Sequence, residues 1–330
     1  MDFRPTASWE NLRLRAALLR RLRQFFEERD FLEVETPILS RDSVVDRYLD
    51  PFAVTLFDDP CKPTDGRRLW LQTSPEFCMK RLLADRESPN APQAIFQVTK
   101  AFRGGGEIGD FHNPEFTMVE WYRVGDSYDE GMRLLAELAN CLLGGESPEL
   151  LSHQAAFQQH AGFDPHRADI ETMRRACHEL GMTPPASLDP ADRDQWLNFL
   201  LATCVEPHLG KNRLTILFDY PASQAALARV RPGEPPCAER FELYAQGIEL
   251  ANGYHELLDP AILRDRNQRT NRQRAEEGKY QLPESSRLLD AMDHGLPPCT
   301  GVAMGFDRIV MIAAGSRRIS DVIAFPIDRA

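Results

Sequence analysis

Between residues 8 and 29 apolar side chains recur at helical spacing, with Leu12, Ala16, Leu19, Leu22 and Phe26 on one stripe. The intervening Arg13, Arg15, Arg20, Arg21 and Arg23 are read as the solvated face of that helix. The pattern turns extended in "FLEVETP" and stops at Pro37. A strand-like "RRLWLQT" leads into "SPEFCMKRLLA", where Ser74 can cap a helix with Pro75 at its first position. "AIFQVTKAFR" alternates Phe96, Val98 and Phe102, and a second strand is expected from about Glu115 to Val124. A glycine-bearing loop joins the two, which predicts an antiparallel hairpin.

From Asp126 the pattern is helical again. Ser127 and Glu130 form a capping box, Met132, Leu135, Leu138 and Leu142 make the stripe, and the glycine pair at 144 ends it. Residues 148–210 read as a mostly helical insertion, interrupted by "TPPASLDP". "RLTILFDYP" returns to strand, and "ERFELYAQGIELANGYHEL" reads as a hairpin with Gly247 near its turn. Asp259 and Pro260 open a charged helix, and the arginines of "ILRDRNQRTNRQR" are read as solvated, with contact to a partner as the alternative. "CTGVAMGFDRIVMIAAG" is a strand followed by an apolar helix. Strands and helices interleave without a βαβ rhythm, so the expected class is α+β with an antiparallel sheet, in one domain over residues 1–330.

Composition narrows the setting. With 42% hydrophobic and 27% charged residues the chain is of the soluble globular kind. No apolar run approaches the ~18 residues of a membrane span, and the N-terminal stretch has no secretory h-region. Seven cysteines without a CxxC pair suit reduced thiols in the cytoplasm and argue against a metal cluster. A net charge of −11 works against non-specific nucleic-acid binding, although a local basic patch can coexist with it.

The stretch "FRGGGEIGDFHNPEFTMVEWYR" brings chemistry to the first hairpin. Period two puts Phe116, Met118, Glu120 and Tyr122 on one face of the outgoing strand. An unpaired carboxylate on a buried face is costly, so Glu120 faces a cation or a cavity unless that face is solvated. Arg103 ends the incoming strand, where a guanidinium can fork onto a phosphate. The loop glycines let backbone pass close to a ligand, and Phe116 offers a face to a purine. A second cluster holds Glu242, Glu249, Asn252, Tyr254, His255 and Glu256. Two carboxylates on neighbouring strands suit a hard cation such as Mg²⁺ on nucleotide phosphates, or else an exposed edge. Alternation leaves Glu249 on the wrong parity, so a shared site needs a bulge near Asn252 and Gly253. Arg308, in the first turn of the helix after "GVAMG", adds to the positive end of the helix dipole.

"FLEVETP", "FR…HNPEFTMVEWY" and "GVAMGFDR" resemble, in order and spacing, the three motifs of class II aminoacyl-tRNA synthetases. "SPEF", "HNPEFTM" and "ELANGYHEL" are similar to the lysyl subgroup, and the resemblance runs from about residue 8 to the end. It implies an antiparallel sheet flanked by helices, a homodimer built partly through the first motif, and ATP-dependent formation of an aminoacyl-adenylate. At matching positions it implies Arg103 at the α-phosphate, Arg308 at the γ-phosphate, and Glu242 and Glu249 at Mg²⁺. Gly104, Gly105, His112, Asn113, Phe116, Glu249, Leu250 and Gly305 would surround the nucleotide, with Phe116 on adenine. Ser74, Pro75, Glu76, Glu120, Tyr122, Asn252, Tyr254, Glu256 and Ala303 would line the amino-acid pocket. Several acids with no visible basic counterpart suit a diamine such as lysine.

Three departures refine this. The first motif is complete by Pro37, which leaves no room before it for the OB-fold with which lysyl-tRNA synthetases grip the anticodon. Ala303 stands where the subgroup has glycine. Gly105 replaces the usual glutamate two residues after Arg103, in a slightly longer loop, which makes Glu107 the candidate substitute at ATP. A truncated lysine-type core with this alanine resembles the elongation factor P–(R)-β-lysine ligases. That resemblance implies (R)-β-lysine as substrate with α-lysine as the alternative, elongation factor P as acceptor, and no tRNA. Two other readings stand beside it. One is a minimal synthetase making lysyl-adenylate or charging tRNA. The other is a non-catalytic sensor, disfavoured because Arg103, Arg308, Glu242 and Glu249 are all present.

Overall fold

A computed structural model describes residues 3–330 other than 60, 63, 87, 89 and 107. The chain opens with α1 (Trp9–Glu27), capped by the Ser8 hydroxyl, which accepts from the Asn11 N–H. It continues with β1 (Leu32–Glu33), β2 (Leu39–Ser40), β3 (Ala53–Phe57), β4 (Gly66–Leu71), α2 (Glu76–Ala84), β5 (Ala94–Phe102) and β6 (Glu115–Val124). Next come α3 (Tyr128–Leu143), β7 (Glu149–Ser152), α4 (His153–His160), α5 (Ile170–Glu179) and α6 (Arg193–Leu200). The strands β8 (Thr215–Pro221), β9 (Val230–Arg231), β10 (Cys237–Ala245) and β11 (Ile248–His255) follow. The chain ends with α7 (Pro260–Glu276), α8 (Arg287–Gly295), β12 (Cys299–Gly305) and α9 (Phe306–Ala313). It forms two compact units, Met1–Gly125 with Leu258–Ala330, and Asp126–Leu257.

In the first unit β1 runs parallel to β5, while β5, β6 and β12 pair antiparallel in that order. The hairpin expected around the glycine loop is β5–β6. A smaller sheet orders β2–β4–β3. The buried stripe of α1 is Leu18, Leu22, Phe25 and Phe26, so it agrees with the periodicity at Leu22 and Phe26 but leaves Ala16 exposed. Phe26 stacks on Phe96 of β5 with ring centroids 4.5 Å apart and packs against Phe31 and Trp121. The arginines of α1 are not all solvated. Arg15 bonds Asp307 at 2.5 Å and the Thr117 hydroxyl at 2.6 Å, and Arg23 pairs with Glu33. Spacing on one helix cannot reveal a partner carried by another element.

Two further elements differ from expectation. Pro75 is itself the N-cap of α2, and the Ser74 hydroxyl accepts from the Glu76 N–H. Helix α7 is not simply solvated, because Leu263, Asn267, Asn271 and Arg274 form a buried stripe. Polar groups can occupy it because they find partners. Asn271 donates to the Leu282 carbonyl at 2.9 Å and accepts from the Leu282 N–H at 3.0 Å.

In the second unit Ser127 and Glu130 close the expected capping box on α3, which Gly144 ends. The insertion is mostly helical, as expected, but opens with a short strand, β7, added parallel to the edge of β8. Glu149 donates its N–H to the Leu214 carbonyl, so this short segment gains a ladder a helical turn could not supply there. Strands β8, β10 and β11 pair antiparallel, with β9 beside β10. The β10–β11 turn places Gln246 and Gly247 at positive φ, 53° and 77°, as a tight hairpin requires. Phe157, Met173, Trp196, Leu200, Leu217 and Tyr244 belong to this unit's core. Among the described residues no disulfide forms, and no helix is long and apolar enough to cross a membrane.

The Phe26 ring cluster generates a stability prediction. Phe26→Ala should lower unfolding stability by ~3–5 kcal/mol, as removal of a fully enclosed aromatic does. Chemical denaturation checks this, and a loss under ~1 kcal/mol would contradict the packing described.

Candidate active site

Glu120 occupies the centre of β6 and is almost completely enclosed. Its register partners are Gln97 on β5 and Ala303 on β12. The Ser74 hydroxyl donates to Oε2 at 2.6 Å and the Tyr122 hydroxyl to Oε1 at 2.6 Å. The first turn of α2 brings Glu76 into the same enclosure, where it holds Lys80 at 2.5 Å one turn along. The Lys80 ammonium also lies 5.9 Å from the Tyr122 ring. Burial and then the Glu76 carboxylate push the Glu120 carboxyl up to about 7, against the opposing pull of its two hydroxyl donors and Lys80. Because the folded value is raised, this group favours the folded state at acid pH. That contribution is lost as pH rises through about 7.

The enclosure corrects one sequence expectation. The acids of the pocket do have a basic counterpart, Lys80, which neutralises Glu76. The Glu76/Lys80 spacing of four on a helix was the available signal, but the period alone does not say that this face is buried.

The loop end of the same hairpin carries the cations. The Arg103 guanidinium stands 5.1 Å from the Phe116 ring centroid, and its Nε donates to the Thr73 carbonyl at 3.4 Å. Arg308, in the first turn of α9, meets His112 Nε2 at 2.7 Å and donates from Nε to the Phe111 carbonyl at 3.3 Å. Desolvation, then the charges of Arg308 and Arg103, hold the His112 imidazole down to about 4. At neutral pH the ring is therefore uncharged and can accept the Arg308 N–H. Asp307 fixes this geometry, although sequence reasoning passed over it. Its Oδ1 takes Arg15, and its Oδ2 accepts the Thr117 N–H at 2.8 Å, which ties α9 to the start of β6. Asn113 also has a structural duty, donating to the Glu115 carbonyl and accepting from the Ile327 N–H. Gly104 and Gly105 follow Arg103, and Gly305 is the N-cap of α9. Glu107 lies outside the described residues.

In the second unit, β10 and β11 set Glu242 opposite Asn252, Tyr244 opposite Glu249, and Arg240 opposite Tyr254. The parity problem is solved by a bulge at Leu250, whose side chain is buried, and not at Asn252 and Gly253. Glu249 and Asn252 thus share the face of Glu242. Two tyrosines, Tyr220 and Tyr244, donate to Glu242 Oε2, each at 2.5 Å. Arg240 reaches Oε1 at 2.5 Å and Asn252 at 3.2 Å. Burial and the Glu242 carboxylate raise both phenols well above their usual range, which keeps them proton donors. Glu256, just past β11, is buried beside Ala228.

The donor set can be tested against Mg²⁺. Among the described residues no three His, Cys, Asp or Glu side chains converge as a ready-made metal cage. Two carboxylates on one face do fit a cation that takes its other ligands from phosphates and water. For Glu242 the long Asn252 contact is the one that can be exchanged for such a cation.

A sequence model of the class II tRNA synthetases (D, K and N) matches residues 1–329. Proteins of Salmonella arizonae and Salmonella paratyphi B, both called elongation factor P–(R)-β-lysine ligase, are 45% identical to the chain over 328 residues. The alignments span 99% of this chain and 98% of each relative. The chain belongs to the class II tRNA synthetase family, alongside the ligases of that name.

Proposed function

We propose that this protein activates (R)-β-lysine with ATP and transfers it to a lysine side chain of elongation factor P. The observation that carries the reading is the enclosed Glu120 carboxyl, held by the Ser74 and Tyr122 hydroxyls, in a chain so similar throughout to the named ligases. The substrate carboxylate oxygen attacks the α-phosphorus of ATP and pyrophosphate leaves. The acceptor amine then attacks the carbonyl carbon of the adenylate, AMP leaves, and the amine gives up a proton.

Arg103 holds the α-phosphate and Arg308 the γ-phosphate, and Phe116 stacks on adenine. Glu242 and Glu249 hold Mg²⁺, which when bound neutralises phosphate charge. Glu120, supported by Ser74 and Tyr122, receives a substrate ammonium group, while Lys80 keeps Glu76 from competing for it. The family resemblance assigns recognition of the diamine to Asn252, Tyr254 and Glu256 as well. A homodimer belongs to the same reading. It is supported by exposed apolar side chains in the first motif, just after it and on α2, namely Leu32, Ile38 and Leu82. The reading places the enzyme in the cytoplasm and gives it no tRNA substrate.

ATP–pyrophosphate exchange with β-lysine, followed by mass analysis of elongation factor P, tests the function. Exchange and a β-lysyl mass increase are expected, with Arg103→Ala and Arg308→Ala each lowering exchange by ~10²–10³. Charging of tRNA with no change on the factor would overturn the proposal.

Glu120 generates a pH prediction. A carboxyl raised to about 7 must ionise to hold an ammonium, whereas substrate amines, ordinarily near ~10, remain charged throughout. KM for β-lysine should therefore fall as pH rises through neutrality, and Glu120→Gln should flatten the dependence. A wild-type KM independent of pH there would assign the ammonium to another group.

Ala303 generates a specificity prediction, because its Cα is the register partner of Glu120. Its methyl crowds an amino group on the α-carbon more than one placed a carbon further along. Ala303→Gly should raise α-lysine activation relative to β-lysine by ~10–100-fold, within the range that one carbon commands. An unchanged ratio in pyrophosphate exchange would remove Ala303 from substrate choice.

A further inference from the structure

Helix α7 buries an arginine completely. Arg274 has no exposed surface, and an enclosed guanidinium is tolerated only where its N–H groups and charge are matched. Its Nε donates to the Tyr280 carbonyl at 3.1 Å, and one terminal nitrogen donates to the carbonyls of Asp46 at 2.8 Å and Leu49 at 3.4 Å. The other terminal nitrogen lies 2.8 Å from Asp50 Oδ1, a charge contact whose angle is not that of a hydrogen bond. Most of these partners lie in the irregular segment 46–51. Residues just beyond the end of α7 add two more bonds to it. Lys279 donates to the Arg47 carbonyl at 2.8 Å, and the Tyr280 hydroxyl to the Pro51 carbonyl at 2.6 Å. The segment lacks strand neighbours, and the end of α7 satisfies its carbonyls instead.

On its other side this segment meets the loop that follows Arg103. The Gly104 N–H donates to the Asp50 carbonyl at 2.6 Å. Gly105 has φ +70°, and a Cβ built there would come within 2.6 Å of Asp50 Oδ2. Loop and carboxylate are therefore in close contact, and any side chain at Gly105 would force them apart. Asp50 faces two ways, with its carboxylate on Arg274 and its carbonyl on Gly104.

We propose that Arg274 is a positioning residue for nucleotide binding. Through Asp50 it fixes Gly104 and Gly105, and so the direction in which Arg103 presents its guanidinium to a phosphate. The pair suits this duty because losing the Asp50 charge strands the fully enclosed Arg274, whereas Asp50 itself is only partly buried and also has the Lys279 ammonium at 3.7 Å. The proposal rests on the assignment of Arg103 to ATP made above. A merely structural arginine would affect both substrates alike, whereas this one acts on the nucleotide alone.

The experiment is calorimetric titration of ATP, and separately of β-lysine, into wild type, Arg274→Lys and Asp50→Asn, with thermal melting of each. Asp50→Asn keeps the backbone carbonyl and the side-chain shape while removing the charge, so it decides the matter if Arg274→Lys does not fold. The expected result is an ATP Kd raised ~10–100-fold in the folded variants, the loss of about one hydrogen bond to a charged group, with the β-lysine Kd unchanged. An unchanged ATP Kd in Asp50→Asn, or equal weakening of both ligands, overturns the positioning role. Failure of the wild type to bind ATP would instead overturn the assignment of Arg103, and the proposal with it.

Discussion

A carboxylate enclosed at the centre of a sheet is the constraint to which the first unit answers. Glu120 cannot stand there without donors, and the donors come from two directions. Tyr122 is its neighbour on the same face of β6, and Ser74 stands at the entrance to α2. Holding Ser74 against β6 fixes where α2 begins, and α2 then carries Glu76 and Lys80 into the same enclosure. The first turn of one helix and the middle of one strand are thus tied by a single buried charge.

The second unit meets a similar demand with a fuller set of donors. Glu242 is also enclosed and also takes two neutral hydroxyls, from Tyr220 and Tyr244. It has in addition a guanidinium of its own, Arg240. The hydrogen bonds on Glu120 come from uncharged groups, and the ammonium near it is bonded to Glu76. Desolvation therefore falls on Glu120 with less direct compensation, and its carboxyl rises toward neutrality. A group in that condition gains most from an incoming cation, which is the physical basis for assigning the substrate ammonium to it.

What the sequence made legible was local. The capping box at Ser127, the Asp259 and Pro260 start of α7, the β5–β6 hairpin and the tight turn at Gly247 all rest on signals a few residues long. The need for a bulge in β11 could be deduced from parity, but its place at Leu250 depends on how β10 lies alongside. The partners of long side chains were hidden for the same reason. Arg15, Lys80 and Arg274 look like surface charges on amphipathic or polar helices. Arg15 and Arg274 are defined by acids or carbonyls that only folding brings near, in one case 292 residues away, whereas Lys80 has its acid one turn off and only the burial of that face was hidden. Nothing local marks Asp307, because its partners Arg15 and Thr117 lie on other elements, yet it is Asp307 that binds α9 to β6.

The central claim is that Glu120 exchanges a proton for the substrate's ammonium, and the most direct measurement is proton release on binding. Calorimetry of β-lysine binding slightly below neutral pH, repeated in buffers of different ionisation enthalpy, counts the protons released. With the carboxyl raised to about 7, more than half a proton should leave per ligand bound, and none in Glu120→Gln. Binding without proton release in the wild type, or equal release in both proteins, would contradict the account.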